Sequence, residues 1–213
     1  MRTKCTTVAV TLLLLLAATG LGCARVLEPT ADGTRYRNFT GTAYASNGDK
    51  FDLIVDVRAS RIAERQEFLP LLVAFLNKSE ERVEVFRESF ILETSDGTRL
   101  PVVGYREFED DYARQSVDIR AGTEFLNALN GRYPDPPFRH RALEFYPHRS
   151  SGVVPRDDIE LSQAEMAIGF LYFRLPHEEA LDEFGNCRML FTLGDDDTQY
   201  VLELQAYKPA KKR

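Results

Sequence analysis

The sequence predicts a mainly β fold, an antiparallel β-sandwich that carries a partly helical, proline-rich insertion. Short segments in which apolar and polar residues alternate recur at a spacing of roughly ten residues, which favours antiparallel sheets over strand–helix–strand units. Turn sequences separate these segments, the clearest being Asn47-Gly48. The segment 105–150 lacks this alternation, and its prolines break both helix and sheet. These prolines are Pro134, Pro136, Pro137 and Pro147.

The first predicted strands form a hairpin. Residues 36–46 mix aromatic residues with threonine and glycine, and 51–57 alternates strongly after the turn. Residues 68–77 are an apolar run rich in strand-forming residues. The other strands predicted before the insertion are 82–86, 89–94 and 99–103, the last two joined by the turn Ser95-Asp96-Gly97-Thr98.

The insertion, at about 105–150, divides into two parts. Residues 105–129 mix charged and aromatic residues with helix formers, which predicts helical or irregular structure. Residues 132–148 combine prolines with aromatic residues, and we expect an elaborated loop there. Strand character then resumes at 167–175, 188–193 and 199–207, which are expected to complete the sandwich.

The beginning of the chain has the layout of an export signal. Arg2 and Lys4 provide positive charge, residues 8–18 are almost all apolar, and small residues follow. The apolar run is shorter than the ~20 residues that a membrane-spanning helix needs. A signal peptide at 1–22 is therefore expected rather than a permanent transmembrane helix.

The segment Leu21-Gly22-Cys23 resembles the bacterial lipobox, although Gly20 occupies the place where a large aliphatic residue is usual. The resemblance implies that Cys23 is lipidated, and acyl chains on a cysteine anchor a domain stably. Residues 23–35 would then form a lipidated tether. The alternative is a plain secretory signal that leaves Cys23 as an ordinary thiol. Ala24 after the cysteine favours the outer membrane if the host has two membranes.

Composition predicts one domain over 36–207. After loss of the signal, 25 basic and 33 acidic residues leave a net charge of about −8, which argues against nucleic acid or anionic lipid as a partner. The basic tail 208–213 is interpreted as a solubilising end. Cys187 is the only cysteine left in the body, so we expect a core thiol and no intramolecular disulfide.

Three segments carry a family resemblance: Leu71 to Ser79, the Ser95-Asp96-Gly97-Thr98 turn, and Gly169 to Pro176. Together they resemble immunoglobulin-like domains of uncharacterised bacterial lipoproteins. The resemblance implies an immunoglobulin-like sandwich, and it carries no catalytic residue over to this chain. The segment 105–154 departs from the pattern as an insertion.

The insertion also contains the candidate contact residues. Aromatic residues and arginines alternate there, and both are enriched in protein interfaces. Alternatively, the aromatic residues cap an open end of the sandwich. The candidate partner-contact residues are Tyr133, Phe138, Arg139, Arg141, Phe145 and Tyr146.

Residues with metal-binding or catalytic potential are present without a specific pattern. Asp195-Asp196-Asp197 and Glu109-Asp110-Asp111 could offer oxygen ligands to calcium, but neither has the ligand spacing of an EF-hand loop. The three histidines, His140, His148 and His177, are widely separated. The known nucleophile, phosphate-binding and zinc-protease motifs are absent from the sequence. We therefore predict no catalytic residue, metal ligand or cofactor.

The sequence as a whole predicts a membrane-anchored envelope lipoprotein that acts as a non-enzymatic binding or assembly module. Its partner is expected to be another envelope protein. A metal-binding or small-ligand-binding envelope domain is the alternative, and a hydrolase is the third interpretation.

Overall fold

The computed structural model describes Thr34–Arg35 and residues 42–62, 67–176, 186–194 and 196–205. The predicted signal, Cys23, most of the tether and the basic tail lie outside these residues. Within the described ranges, no helix is long and apolar enough to span a membrane. The strands are β1 (Thr34–Arg35), β2 (Ala43–Asn47), β3 (Phe51–Asp56), β4 (Phe68–Asn77), β5 (Val83–Phe86), β6 (Ile91–Glu93), β7 (Arg99–Pro101), β8 (Arg139–Ala142), β9 (Asp158–Leu161), β10 (Glu165–Arg174), β11 (Asn186–Leu193) and β12 (Asp196–Gln205). The helices are α1 (Arg58–Ile62), α2 (Tyr105–Asp111), α3 (Gln115–Ala121) and α4 (Thr123–Arg132).

The strands form three sheets. A six-stranded sheet has the order β1-β2-β3-β4-β10-β8, a four-stranded sheet has the order β12-β11-β6-β7, and β5 pairs with β9. Neighbouring strands are antiparallel, except that β8 runs parallel to β10. The prediction of a mainly β, largely antiparallel protein is confirmed.

The first hairpin is where the sequence predicts it. Asn47 pairs with Asp52 in the β2–β3 register, and the Gly48 N–H donates to the Phe51 carbonyl at 2.8 Å. The strands predicted on either side of the insertion are present with shifted ends, and residues 36–41 and 206–207 of the predicted strands lie outside the described part of the chain. The short elements α1 and β9 were not predicted, because neither shows a clear period over its four or five residues.

Strand β4 is buried on both faces and separates two apolar cores. Its side chains alternate: Leu71, Val73 and Phe75 enter the main core, and Leu72, Ala74 and Leu76 enter a second, smaller core. The main core also takes residues of β6 and β11, so it lies between the two larger sheets. A strand buried on both faces has no polar alternation, which explains the continuous apolar run in the sequence.

The second core joins the six-stranded sheet to α4. Phe125 and Leu129 of α4 are fully buried there, together with Ile54 of β3. The helices lie close to the sheet at Gly122, where an added Cβ would come within 2.6 Å of Leu72 Cδ2. Helix α4 therefore covers the face of the sheet that points away from the main core.

The segment 105–150 is part of the folded body, and one interpretation of it is wrong. Its first half is helical as expected. Its second half is not only a loop, because Arg139–Ala142 forms β8 and pairs with β10 from Glu165 to Ile168. Prolines flank this strand without entering it, so the proline-rich composition hid it.

Candidate partner-contact surface

Strand β8 is an edge of the six-stranded sheet. The Arg139 N–H donates to the Ala164 carbonyl at 2.9 Å, and the Leu143 N–H donates to the Ile168 carbonyl at 2.8 Å. Alternate residues of an edge strand bond to the neighbouring strand, and those between them point the other way. The backbone groups of His140 and Ala142 are therefore directed away from β10. We call the residues Arg139 to Ala142 the β8 edge.

The open part of this edge is short. Two residues beyond Ala142, the Glu144 carbonyl accepts a hydrogen bond from the Arg156 N–H at 2.9 Å. The chain near Arg156 therefore covers the continuation of β8, and the edge exposes its backbone only at His140 and Ala142.

The two arginines of the edge differ in their surroundings. The Arg141 guanidinium donates to the Glu160 carbonyl at 2.9 Å and lies 3.4 Å from a Glu165 carboxylate oxygen, with 42% of its side chain exposed. Arg139 is exposed, and within the described residues it makes no ion pair. Arg139 thus provides a cation that is available at the surface.

The aromatic residues Tyr133 and Phe138 pack against each other in the segment just before the β8 edge. The rings of Tyr133 and Phe138 meet edge-to-face with centroids 5.4 Å apart, and both are half-buried against the second core. The Tyr133 hydroxyl donates to Asp52 of β3 at 3.3 Å. The Tyr133 carbonyl lies 2.7 Å from His140 Nε2, so this nitrogen carries the proton and donates. These contacts fix the direction in which β8 leaves α4.

Phe145 and Tyr146 require a correction to the expected contact set. Both are buried in the main core, Phe145 completely. The Tyr146 ring packs against Phe108 and Tyr172 at centroid distances of 4.9 and 5.0 Å, and its hydroxyl donates to the Val103 carbonyl. Their burial excludes direct contact with a partner in this fold. These two residues belong to the main core.

A buried carboxylate lies near this aromatic cluster and was not predicted. Asp118 of α3 accepts hydrogen bonds from the Tyr112 and Tyr172 hydroxyls at 2.6 and 3.2 Å. Desolvation raises the pKa of Asp118 to about 6, although both hydrogen bonds and the Arg114 charge act to lower it. Burial raises the pKa of both tyrosines, so they remain neutral donors. Nothing in the sequence distinguishes Asp118 from the surface acids around it.

A serine and a histidine approach each other at the surface. Ser116 Oγ lies 3.2 Å from His148 Nε2, which resembles the first contact of a nucleophile–base pair. However, His148 Nδ1 accepts the Ser150 N–H at 3.2 Å. The proton of the neutral ring is therefore on Nε2, which donates to Ser116 instead of accepting its proton. The arrangement ties α3 to residues 148–150 and is not set up for nucleophilic attack.

Two of the candidate calcium ligands have other partners, and three lie outside the described side chains. Glu109 accepts a hydrogen bond from the Tyr105 hydroxyl at 3.4 Å, and Asp111 pairs with Arg174. Among the described residues, no group of three or more histidine, cysteine or acidic side chains could hold a metal ion. The side chains of 195–198 and all of His177 lie outside the description. Cys187 is buried as expected, and desolvation raises the pKa of its thiol to about 12.

Comparisons with known proteins give distant likenesses. No family model and no curated protein matches the chain. The yjhA protein of Bacillus subtilis has a solved structure that covers 76% of this chain and 96% of its own, with 9% identity and a TM-score of 0.39. The ycdA protein of B. subtilis strain 168, described as a candidate lipoprotein, covers 76% of this chain and 38% of its own, with 11% identity and a TM-score of 0.36. Because both TM-scores lie below 0.5, neither likeness supports a conclusion about this chain, and no family is assigned to it.

Proposed function

We propose that this chain is a lipid-anchored envelope protein that binds or positions another envelope protein without catalysing a reaction. The observation that supports binding is the β8 edge. Its outer side is not paired with another strand, and it carries exposed Arg139 near Arg141. The arginines lie on a protein whose mature charge is about −8, with 25 basic against 33 acidic residues. Arg139, which makes no ion pair among the described residues, is an available cation on an acidic protein and favours contact with a carboxylate of the partner.

The anchor part of the proposal rests on the sequence around Cys23. Its short apolar run and the Leu21-Gly22-Cys23 segment support removal of 1–22 and acylation of the new N-terminal cysteine. Outer-membrane attachment in a two-membrane host is the finer proposal, and it rests on Ala24.

The immunoglobulin-like relationship also stays a prediction, supported by the placement of two β-sheets around one main core.

The anchor is tested by expressing the full chain and comparing it with the Cys23→Ala variant. We expect the wild-type chain to have an acylated N-terminal mass and to partition into detergent, and the variant to remain unacylated and water-soluble. The Cys5→Ala variant is the matched control, since Cys5 leaves with the signal and acylation should be unchanged. An unmodified wild-type protein in the aqueous phase would contradict the anchor.

Binding is tested separately, by crosslinking in the native envelope from a photoreactive residue placed on the protein surface. We expect a discrete adduct whose formation depends on Cys23. A complete absence of adducts from several surface positions, with the anchor intact, would contradict the function as a binding module.

A further inference from the structure

We propose that the β8 edge binds an extended, acidic peptide segment of the partner, which joins the six-stranded sheet as an additional strand. This inference rests on the proposed function, because it names the surface and the chemistry of the contact. The first step is the backbone. His140 and Ala142 each direct an N–H and a carbonyl away from β10, and together they offer about four hydrogen bonds to an added strand.

The length of the open edge defines the occupant further. Past Ala142 the edge is closed, because the Glu144 carbonyl already accepts from Arg156. Before Arg139, the chain turns at Phe138, whose N–H donates to the Pro134 carbonyl at 3.1 Å. The site therefore fits a short extended segment of roughly four or five residues rather than a long strand or a helix.

The side chains of the edge define the charge of the occupant. Arg139 and Arg141 are two residues apart, so they lie on the same face of β8. Side chains of an added strand on that face would lie beside both guanidinium groups. Arg141 already faces Glu165, but Arg139 makes no ion pair among the described residues and favours a carboxylate there. On the other face the occupant meets exposed Ala142 and half-buried His140, so it needs only small or apolar side chains.

The same charges disfavour a second copy of this chain as the occupant. If two β8 edges paired antiparallel, the arginines of one copy would lie across from those of the other on a shared face. Like charges directly across a sheet destabilise the pairing. Charged residues on an edge are also a common means of preventing aggregation. Prevention of self-association alone is therefore the alternative that the experiment must separate from binding.

The probe is a capped peptide of sequence Glu-Val-Glu-Val-Glu with a fluorescent label, titrated into the mature lipidated protein in detergent micelles. Lys-Val-Lys-Val-Lys is the control peptide of equal length and strand propensity. We expect saturable binding of the acidic peptide, measured by anisotropy, and at least tenfold weaker binding of the basic one. Equal binding of the two peptides, or binding of neither, would overturn the proposal.

Two variants locate the site on the β8 edge. Ala142→Pro removes an outward N–H without breaking a bond to β10, and it should weaken acidic-peptide binding at least tenfold, whereas Ala142→Ser should not. Arg139→Glu should weaken binding by a similar factor. Its matched control is Arg120→Glu, the same charge change at an exposed residue of α3. Melting curves check that each variant is folded, and unchanged binding by Arg139→Glu would overturn the proposal even if the proline variant fails to fold.

Two further readouts separate the alternatives. If Arg139→Glu forms dimers by sedimentation while the wild type binds no acidic peptide, the arginines only keep copies apart and the inference is wrong. In the envelope, a photoreactive residue at 142 should crosslink to the partner, and one at 120 should not. Adducts from other surface positions but none from position 142 would agree with the proposed binding function and contradict only the inference about the β8 edge.

Discussion

The Tyr112 hydroxyl donates a 2.6 Å hydrogen bond to the carboxylate of Asp118, six residues further along the chain. The Tyr172 hydroxyl, from β10, donates to the same carboxylate oxygen at 3.2 Å. Asp118 therefore joins α3 to the end of α2 and to β10 of the six-stranded sheet. Desolvation is the largest influence on it and raises its pKa to about 6.

This raised pKa predicts a specific dependence of stability on pH. Asp118 has a higher pKa in the folded state, about 6, than in the unfolded chain, where aspartate titrates near ~3.9. The stabilising contribution of the Asp118 carboxyl to the free energy of unfolding is complete below the unfolded pKa. It is lost as the pH rises through the folded pKa. We expect the free energy of unfolding of the wild type, minus that of Asp118→Asn, to fall between about pH 4 and 6. This difference in unfolding free energy should change by at most ~1.4 kcal/mol per pH unit. Urea unfolding from pH 4 to 8 measures it, and Asp110→Asn at an exposed position serves as the control; a flat difference would contradict the prediction.

Removing one donor should move the same pKa further. The Tyr112 hydrogen bond acts to lower the pKa of Asp118, because it stabilises the charged form. Tyr112→Phe is therefore expected to raise that pKa above its wild-type value, which carbon-detected NMR of the Asp118 carboxyl can follow. Tyr105→Phe, which removes a hydroxyl bonded to Glu109 instead, should leave it unchanged. A lower pKa in Tyr112→Phe would show that the hydroxyl does not donate to the carboxylate.

Gly169 of β10 allows Leu143, the residue just after β8, to lie close to β10. A Cβ added at this position would lie 2.6 Å from Leu143 Cβ and 2.9 Å from the Leu143 carbonyl oxygen. Gly169→Ala must therefore push the two segments apart, and we expect a loss of about 1–3 kcal/mol of stability. Gly131→Ala in α4 is the matched control, since nothing lies within 4 Å and alanine favours the helix. Thermal unfolding should show opposite shifts, and an unchanged melting temperature in Gly169→Ala would contradict the close approach.

Asn77 ends β4 with all of its amide groups engaged. Its Nδ2 donates to the Glu81 and Leu161 carbonyls at 2.8 and 3.0 Å, and its Oδ1 accepts from the Ser79 N–H and hydroxyl. Asn77→Asp would replace the donor with a second carboxylate oxygen facing two carbonyls, in a fully buried position. We expect a loss of at least ~2 kcal/mol in denaturant unfolding. Asn127→Asp, at an exposed position of α4, should change stability far less; equal effects would show that the amide network is dispensable.

Predictability from sequence differed between elements for physical reasons. The β2–β3 hairpin and β4 were predictable because an Asn-Gly turn and a long apolar run are local signals. Strand β8 was not, since it is a charged edge between prolines and depends on β10 for its pairing. Tyr133, Phe138, Arg139 and Arg141 lie on or just before this strand, and their role as contact residues stays a prediction. The burial of Phe145 and Tyr146 depends on how distant segments pack, which composition does not encode.

Both faces of β4 are buried and apolar, so the pattern of polar and apolar side chains does not fix how β4 aligns with its neighbouring strands. If β4 slipped by one residue, its two sets of apolar side chains would exchange cores, and neither face would expose a polar group to oppose the shift. The opposing signal comes from the end of the strand, where a slip would pull the Asn77 amide away from the carbonyls of Glu81 and Leu161. The hydrogen-bonded amide of Asn77 thus gives β4 a polar contact that opposes a slip against β3 and β10 on either side.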